Sequence, residues 1–115
     1  MVQALGRAQS EGGLVIAAPV FAELLAHPRA TAPFVDEFLN STRIAVDFNL
    51  GESVWRDAGR RFAAYARRRK NSEGGNAKRL LVDFLIGAHA LLKVDRLLTL
   101  DPGRYRSNFR DLKML

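Results

Sequence analysis

The chain contains no cysteine. A disulfide frame and a thiolate metal site are therefore excluded, and a reducing compartment suits it, the cytoplasm being the default. It also lacks a long apolar run. "GGLVIAAPVFAELLAH" and "FLIGAHALL" are too short or too interrupted to span a bilayer, and "MVQALGRAQSEGG" lacks the charged-then-apolar order of a signal peptide. No membrane role is expected. Acidic residues are outnumbered, 12 against 18 Lys and Arg, giving a formal charge of +6. Such an excess attracts polyanions over long range, so nucleic acid is a candidate partner, with a solvated, salt-bridged helix surface as the plainer explanation.

What is present fits a folded domain. At 115 residues with 48% hydrophobic and 26% charged residues, the chain has the size and balance of a single globular domain over 1–115. A short helix is expected over Val2 to Glu11, ended by the glycines at 12 and 13. "LVIAA", Leu14 to Ala18, is an apolar β-branched run of strand length, suited to a sheet covered on both faces. Pro19 opens the next helix, which closes at His27 and Pro28.

In "TAPFVDEFLNS" a helical stripe of Phe34, Val35, Phe38 and Leu39 is expected to face the core. "TRIAVDF", Thr42 to Phe48, reads as a second strand, and a long helix from about Leu50 runs into the basic stretch Arg67 to Lys70. "NSEGGNAK", Asn71 to Lys78, has the composition of a mobile loop. "RLLTL", Arg96 to Leu100, is expected as a third strand before the turn "DPG", and "DLKML" as a last short one. Strands separated by helices imply parallel crossovers and an α/β sandwich.

Ligands in open parallel sheets gather at the carboxyl ends of strands, which singles out three acids: Glu23, Asp83 and Asp101. Each has an ordinary structural explanation. Asp83 would stabilise a helix N-terminus, Asp101 would begin a β-turn, and Glu23 would face water. Asp83 stands out because "LLVDFLI" surrounds it with apolar residues, and a carboxylate placed there needs a partner. Two such acids at about 4 Å repel by roughly 4 kcal/mol at an effective dielectric of 20, so a cation or a proton must compensate. Carboxylates without Cys or a His pair favour Mg²⁺ or Mn²⁺ over zinc. A cation held by acids in a basic protein suits phosphodiester hydrolysis.

"PVFAELLAHP" at 19–28, "RLLVDFLIGAHALLKVDRLLTLDPGRYRSNF" at 79–109 and the closing "DLKML" resemble the PIN-domain ribonucleases, specifically the VapC-type toxins of toxin–antitoxin modules. The resemblance covers nearly the whole chain, and "DFLIGAHA" followed by "LLTLD" is its most specific part. It implies a PIN-like α/β/α sandwich with a parallel sheet, RNA cleavage with Mg²⁺ or Mn²⁺, a cognate antitoxin and a homodimer. Carried over, Glu23 and Asp83 bind metal, Asp101 completes the cage, and Thr99 is a supporting hydroxyl near it. One departure is plain: the family's central first strand and its metal-binding aspartate have no counterpart before Glu23. The expected outcomes are a truncated chain, a catalytically impaired remnant that binds RNA or antitoxin, or a sheet repaired by another strand.

His89 lies six residues after Asp83, about 240° around a helix, and reads as a packing or surface residue. Gly87, Ala88 and Ala90 read as small residues for close helix packing. Trp55 and Phe62 read as core or dimer packing, with base stacking as the alternative. Arg67, Arg68, Arg69, Arg79, Arg104 and Arg106 are the candidate contacts to an RNA backbone.

Overall fold

A computed structural model describes residues 2–72 and 79–115. The chain is mixed α/β and divides into two compact units, Met1–Leu50 and Gly51–Leu115. No helix among the described residues is long and apolar enough to cross a membrane.

The first unit is built on one parallel strand pair. Helix α1 (Val2–Glu11) stops where the Gly13 N–H reaches back to the Ala8 carbonyl at 2.9 Å with φ +97°, a backbone conformation glycine adopts without strain. Strand β1 (Leu14–Ala17) follows, then α2 (Ala18–Ala26), which carries its proline in the first turn, where a missing N–H costs nothing. Helix α3 (Ala32–Ser41) starts at Thr31, whose Oγ1 accepts the Phe34 N–H at 3.2 Å. Strand β2 (Ile44–Asp47) pairs with β1 in parallel, Leu14 opposite Ile44 and Ala17 opposite Asp47. Among the described residues β1 has no other ladder partner.

Both strands are shorter than their apolar runs. Thr42 is consumed by the end of α3, its hydroxyl donating to the Phe38 carbonyl at 2.6 Å, and Arg43 turns the chain with a φ of +57°. Asp47 Oδ1 accepts the Asn49 N–H at 3.0 Å, so the chain bends away at the other end. Phe48 leaves the strand with it and meets Phe21 edge to face at 5.3 Å.

The α3 stripe is also narrower than expected. Val35 and Leu39 are buried, but Phe34 and Phe38 remain 64% and 45% exposed. Each phenylalanine precedes its buried neighbour by one residue, or about 100° of helix, which carries it off the inward face.

The second unit consists of α4 (Glu52–Ser72), α5 (Leu81–Lys93), the single turn α6 (Gly103–Arg106) and a closing segment. Asn71 and Ser72 therefore belong to the helix, and the remainder of the expected loop, 73–78, lies outside the described residues. Val54, Ala58 and Tyr65 are buried on α4, as are Phe84, Leu85, Ala88 and Ala90 on α5. Phe84 lies 5.3 Å from Phe62, 5.5 Å from Tyr65 and 6.0 Å from Phe109, ring centroid to ring centroid. Trp55 takes no such place and is 54% exposed.

Among the described residues the expected third strand, Arg96 to Leu100, does not form, and "DLKML" contributes only a bridge. Leu97 donates to the Lys113 carbonyl at 2.8 Å and accepts the Leu115 N–H at 3.0 Å, a lone parallel bridge opposite Met114. A strand needs a ladder along its length, and this segment has one only at Leu97. Leu100, the last residue of the apolar run, is 84% exposed.

Gly87 marks the closest approach in this unit. A Cβ built there would come within 2.4 to 2.8 Å of Phe109 ring carbons. Gly87→Ala should therefore lower stability by about 1 to 3 kcal/mol, the usual cost of overpacking a core. Urea denaturation should show a lower midpoint with an unchanged slope.

Candidate acidic site

The site residues divide between the two units. Glu23 lies on α2 in the first unit and is exposed. Asp83 and Asp101 lie in the second, and there the chain brings them together through one residue.

Asp83 is the third residue of α5. Its neighbour Phe84 is 1% exposed, so the first turn of the helix is fixed by the aromatic core. The carboxylate is then held at the rim of that core, with 13% of its side chain exposed. Asp83 Oδ2 accepts the Leu80 N–H at 3.2 Å, satisfying a donor that the helix itself leaves unpaired. Its Oδ1 faces Arg104 Nη1 at 3.4 Å. The negative charge also sits favourably at the positive end of the helix dipole.

Asp101 arrives from the other side. It precedes α6, and its own N–H donates to Thr99 Oγ1 at 3.1 Å, so the Thr99 hydroxyl serves the turn. Three residues on, Arg104 Nε stands 3.5 Å from Asp101 Oδ2. A single guanidinium thus lies between the two carboxylates. This is the compensating cation that two neighbouring acids require, supplied by the chain.

Arg104, a candidate RNA contact by its place in the sequence, faces the two acids. The signal was available in the i, i+3 spacing of Asp101 and Arg104, but the link to Asp83, 21 residues away, needs the fold. A shallow hollow beside Asp83 and Arg104 is lined also by Arg79, Phe84, Tyr105, Asn108 and Phe109, and Asp101 is not part of its wall.

The other arginines separate by role. Arg68 donates to Asn108 Oδ1, and Arg61 donates to the Asn108 carbonyl at 2.6 Å while its guanidinium lies 4.5 Å above the Phe109 ring. These two clamp the segment after α6 onto α4. Arg61 is oriented in turn by the buried Asp57 at 2.8 Å, a network that the charge pattern alone did not reveal. The Arg79 N–H donates to the Tyr65 hydroxyl at 2.7 Å. Arg67 and Arg106 are exposed, and Arg69 is half-buried. His89 is buried on α5 at 5% exposure, in keeping with a packing role.

The donor chemistry of Asp83 and Asp101 suits Mg²⁺ or Mn²⁺, hard cations commonly held by one or two carboxylates with water completing the shell. Among the described residues no three His, Cys, Asp or Glu side chains are grouped to hold an ion. Among the described residues Asp83 and Asp101 are the two carboxylates that face Arg104. Comparison with protein-family models, curated proteins and solved structures finds no match for the chain.

The two aspartates differ in what they anchor, since Asp101 has 59% of its side chain exposed and Asp83 only 13%. Asp83→Ala should cost about 1 kcal/mol through the lost helix-start bond and dipole interaction. Asp101→Ala should leave the thermal midpoint nearly unchanged, as exposed ion pairs contribute little.

Proposed function

We propose that this chain is a metal-dependent endoribonuclease of the VapC type, a PIN domain with an α/β/α sandwich that acts in the cytoplasm and is controlled by a cognate antitoxin. The observation that carries the reading is the Asp83–Asp101 pair, which joins the two most specific parts of the resemblance, "DFLIGAHA" and "LLTLD", around one cation. A polyanionic substrate agrees with the net charge of +6.

In this reading Asp83 and Asp101 hold Mg²⁺ or Mn²⁺ in place of the guanidinium. When bound there, the cation would supply an activated water and offset charge on the scissile phosphate. Arg104, released from the acids, is placed to meet a phosphate oxygen, for which its planar fork is suited. Thr99 keeps the turn that presents Asp101. Glu23 joins the acidic set by resemblance.

A second reading is favoured by the same guanidinium. With an internal cation already between the acids, the chain would be a non-catalytic module that binds RNA or an antitoxin. Incubation of labelled RNA with the full chain in Mg²⁺ and Mn²⁺ separates the two. The nuclease reading expects cleavage that EDTA stops and that Asp83→Asn reduces at least a hundredfold with an unchanged circular dichroism spectrum. Glu23→Gln should reduce it as well if that residue shares the cation. Binding of RNA without cleavage under all these conditions would establish the second reading.

A further inference from the structure

Helix α4 carries seven basic residues against two acidic ones, a net +5 of the chain's +6. The charge is ordered as well as concentrated. Arg56, Arg60, Arg67 and Lys70 recur at intervals of four, seven and three residues, which places them within about 80° of one another around the helix. All four are exposed. From Arg56 to Lys70 this edge runs roughly 21 Å, long enough for several successive phosphates. Trp55 stands beside its first member, 54% exposed, although tryptophan is highly buried on average.

We propose that the exposed side of α4 is a docking track for single-stranded RNA, with phosphates along Arg56, Arg60, Arg67 and Lys70 and a base stacked on Trp55. The proposal shares with the functional reading its choice of RNA, but not its chemistry: docking here needs neither the metal nor the acids.

The existing ion pairs do not oppose it. Arg56 meets Glu52 at 2.6 Å, and both side chains are largely exposed, so a phosphate can replace the carboxylate at little cost. Arg60 shares Asp57 with Arg61 and holds the longer bond, 3.3 Å against 2.8 Å, so Asp57 stays paired when Arg60 turns outward. The opposite face of α4 is committed to the core through Val54, Ala58 and Tyr65. That excludes the mode in which an amphipathic helix buries an apolar face in a lipid surface. An acidic protein would satisfy the arginines but gives the indole no special role. An unpaired base does, because its π-face stacks on an aromatic ring whatever its identity.

Trp55 is the only tryptophan in the chain and so reports on its own site. Titration of the full chain with a twelve-nucleotide oligouridylate, in EDTA to prevent cleavage, should quench its emission. Affinity should fall with salt at a logarithmic slope of roughly −3, about fiftyfold between 50 and 200 mM, for four phosphate contacts on a single strand. Replacing Arg67 and Lys70 together by alanine should make that slope shallower by roughly 1.4. Trp55→Leu, followed by anisotropy of labelled RNA, should weaken binding by roughly five- to a hundredfold at unchanged slope. Circular dichroism of each variant should match the parent, since these side chains lie outside the core.

Emission unmoved at saturating RNA, or a slope indifferent to the Arg67 and Lys70 changes, overturns the proposal. So does equal quenching by polyglutamate or by phosphatidylserine vesicles, which would assign the face to an acidic protein or a membrane. Cleavage that depends on Asp83 but comes without quenching would leave the nuclease reading standing and remove this one. Quenching without cleavage would do the reverse.

Discussion

The ring of Phe84 meets Phe62, Tyr65 and Phe109, and the second unit is arranged around that contact. Because the ring is buried among residues of α4 and of the segment after α6, the start of α5 has little freedom to slide or rotate. Asp83 inherits this rigidity as the adjoining residue. A carboxylate fixed in that way cannot move to find a counter-charge, so one has to come to it. The turn at Asp101 and the helix α6 bring Arg104 to the place where the first turn of α5 needs a positive group. Packing, then charge pairing, is the order in which the site is determined.

Much of the fold could be read from periodicity. The helices around Phe84 and Tyr65, the strand pair and its parallel sense, and the proline at the start of α2 all follow from apolar spacing and backbone chemistry. The errors have identifiable causes. "RLLTL" has the composition of a strand, but composition cannot provide a neighbour, and only Leu97 finds one. Phe34 and Phe38 fit a core stripe by spacing and apolar character, yet both are exposed, and the exposure of Trp55 removes only the core half of its core-or-dimer reading. Hydrophobic residues need not be inside, and an angular step of about 100° decided the outcome for each phenylalanine.

The candidate site was legible in part. That Asp83 would sit at the edge of an apolar helix and require a partner followed from its neighbours; that the partner would be Arg104 did not. The arginines illustrate the same limit. A run such as Arg67 to Lys70 looks uniform in sequence, yet Arg68 is tied to Asn108 while Arg67 and Lys70 point outward. Helical phase divides such a run between holding the molecule together and meeting something outside it. Sequence supplies the phase, but only the fold says which phase is inward.

The bond between the Arg79 N–H and the Tyr65 hydroxyl has a consequence for evolution. Tyr65 therefore serves twice, its ring buried beside Phe84 and its hydroxyl accepting from the residue just ahead of the α5 N-cap. Phenylalanine at 65 would keep the ring and leave the Arg79 N–H without this acceptor, so the position selects for an aromatic ring with a polar tip. Selection on the placement of Asp83 thus acts at Tyr65 as well as at Phe84.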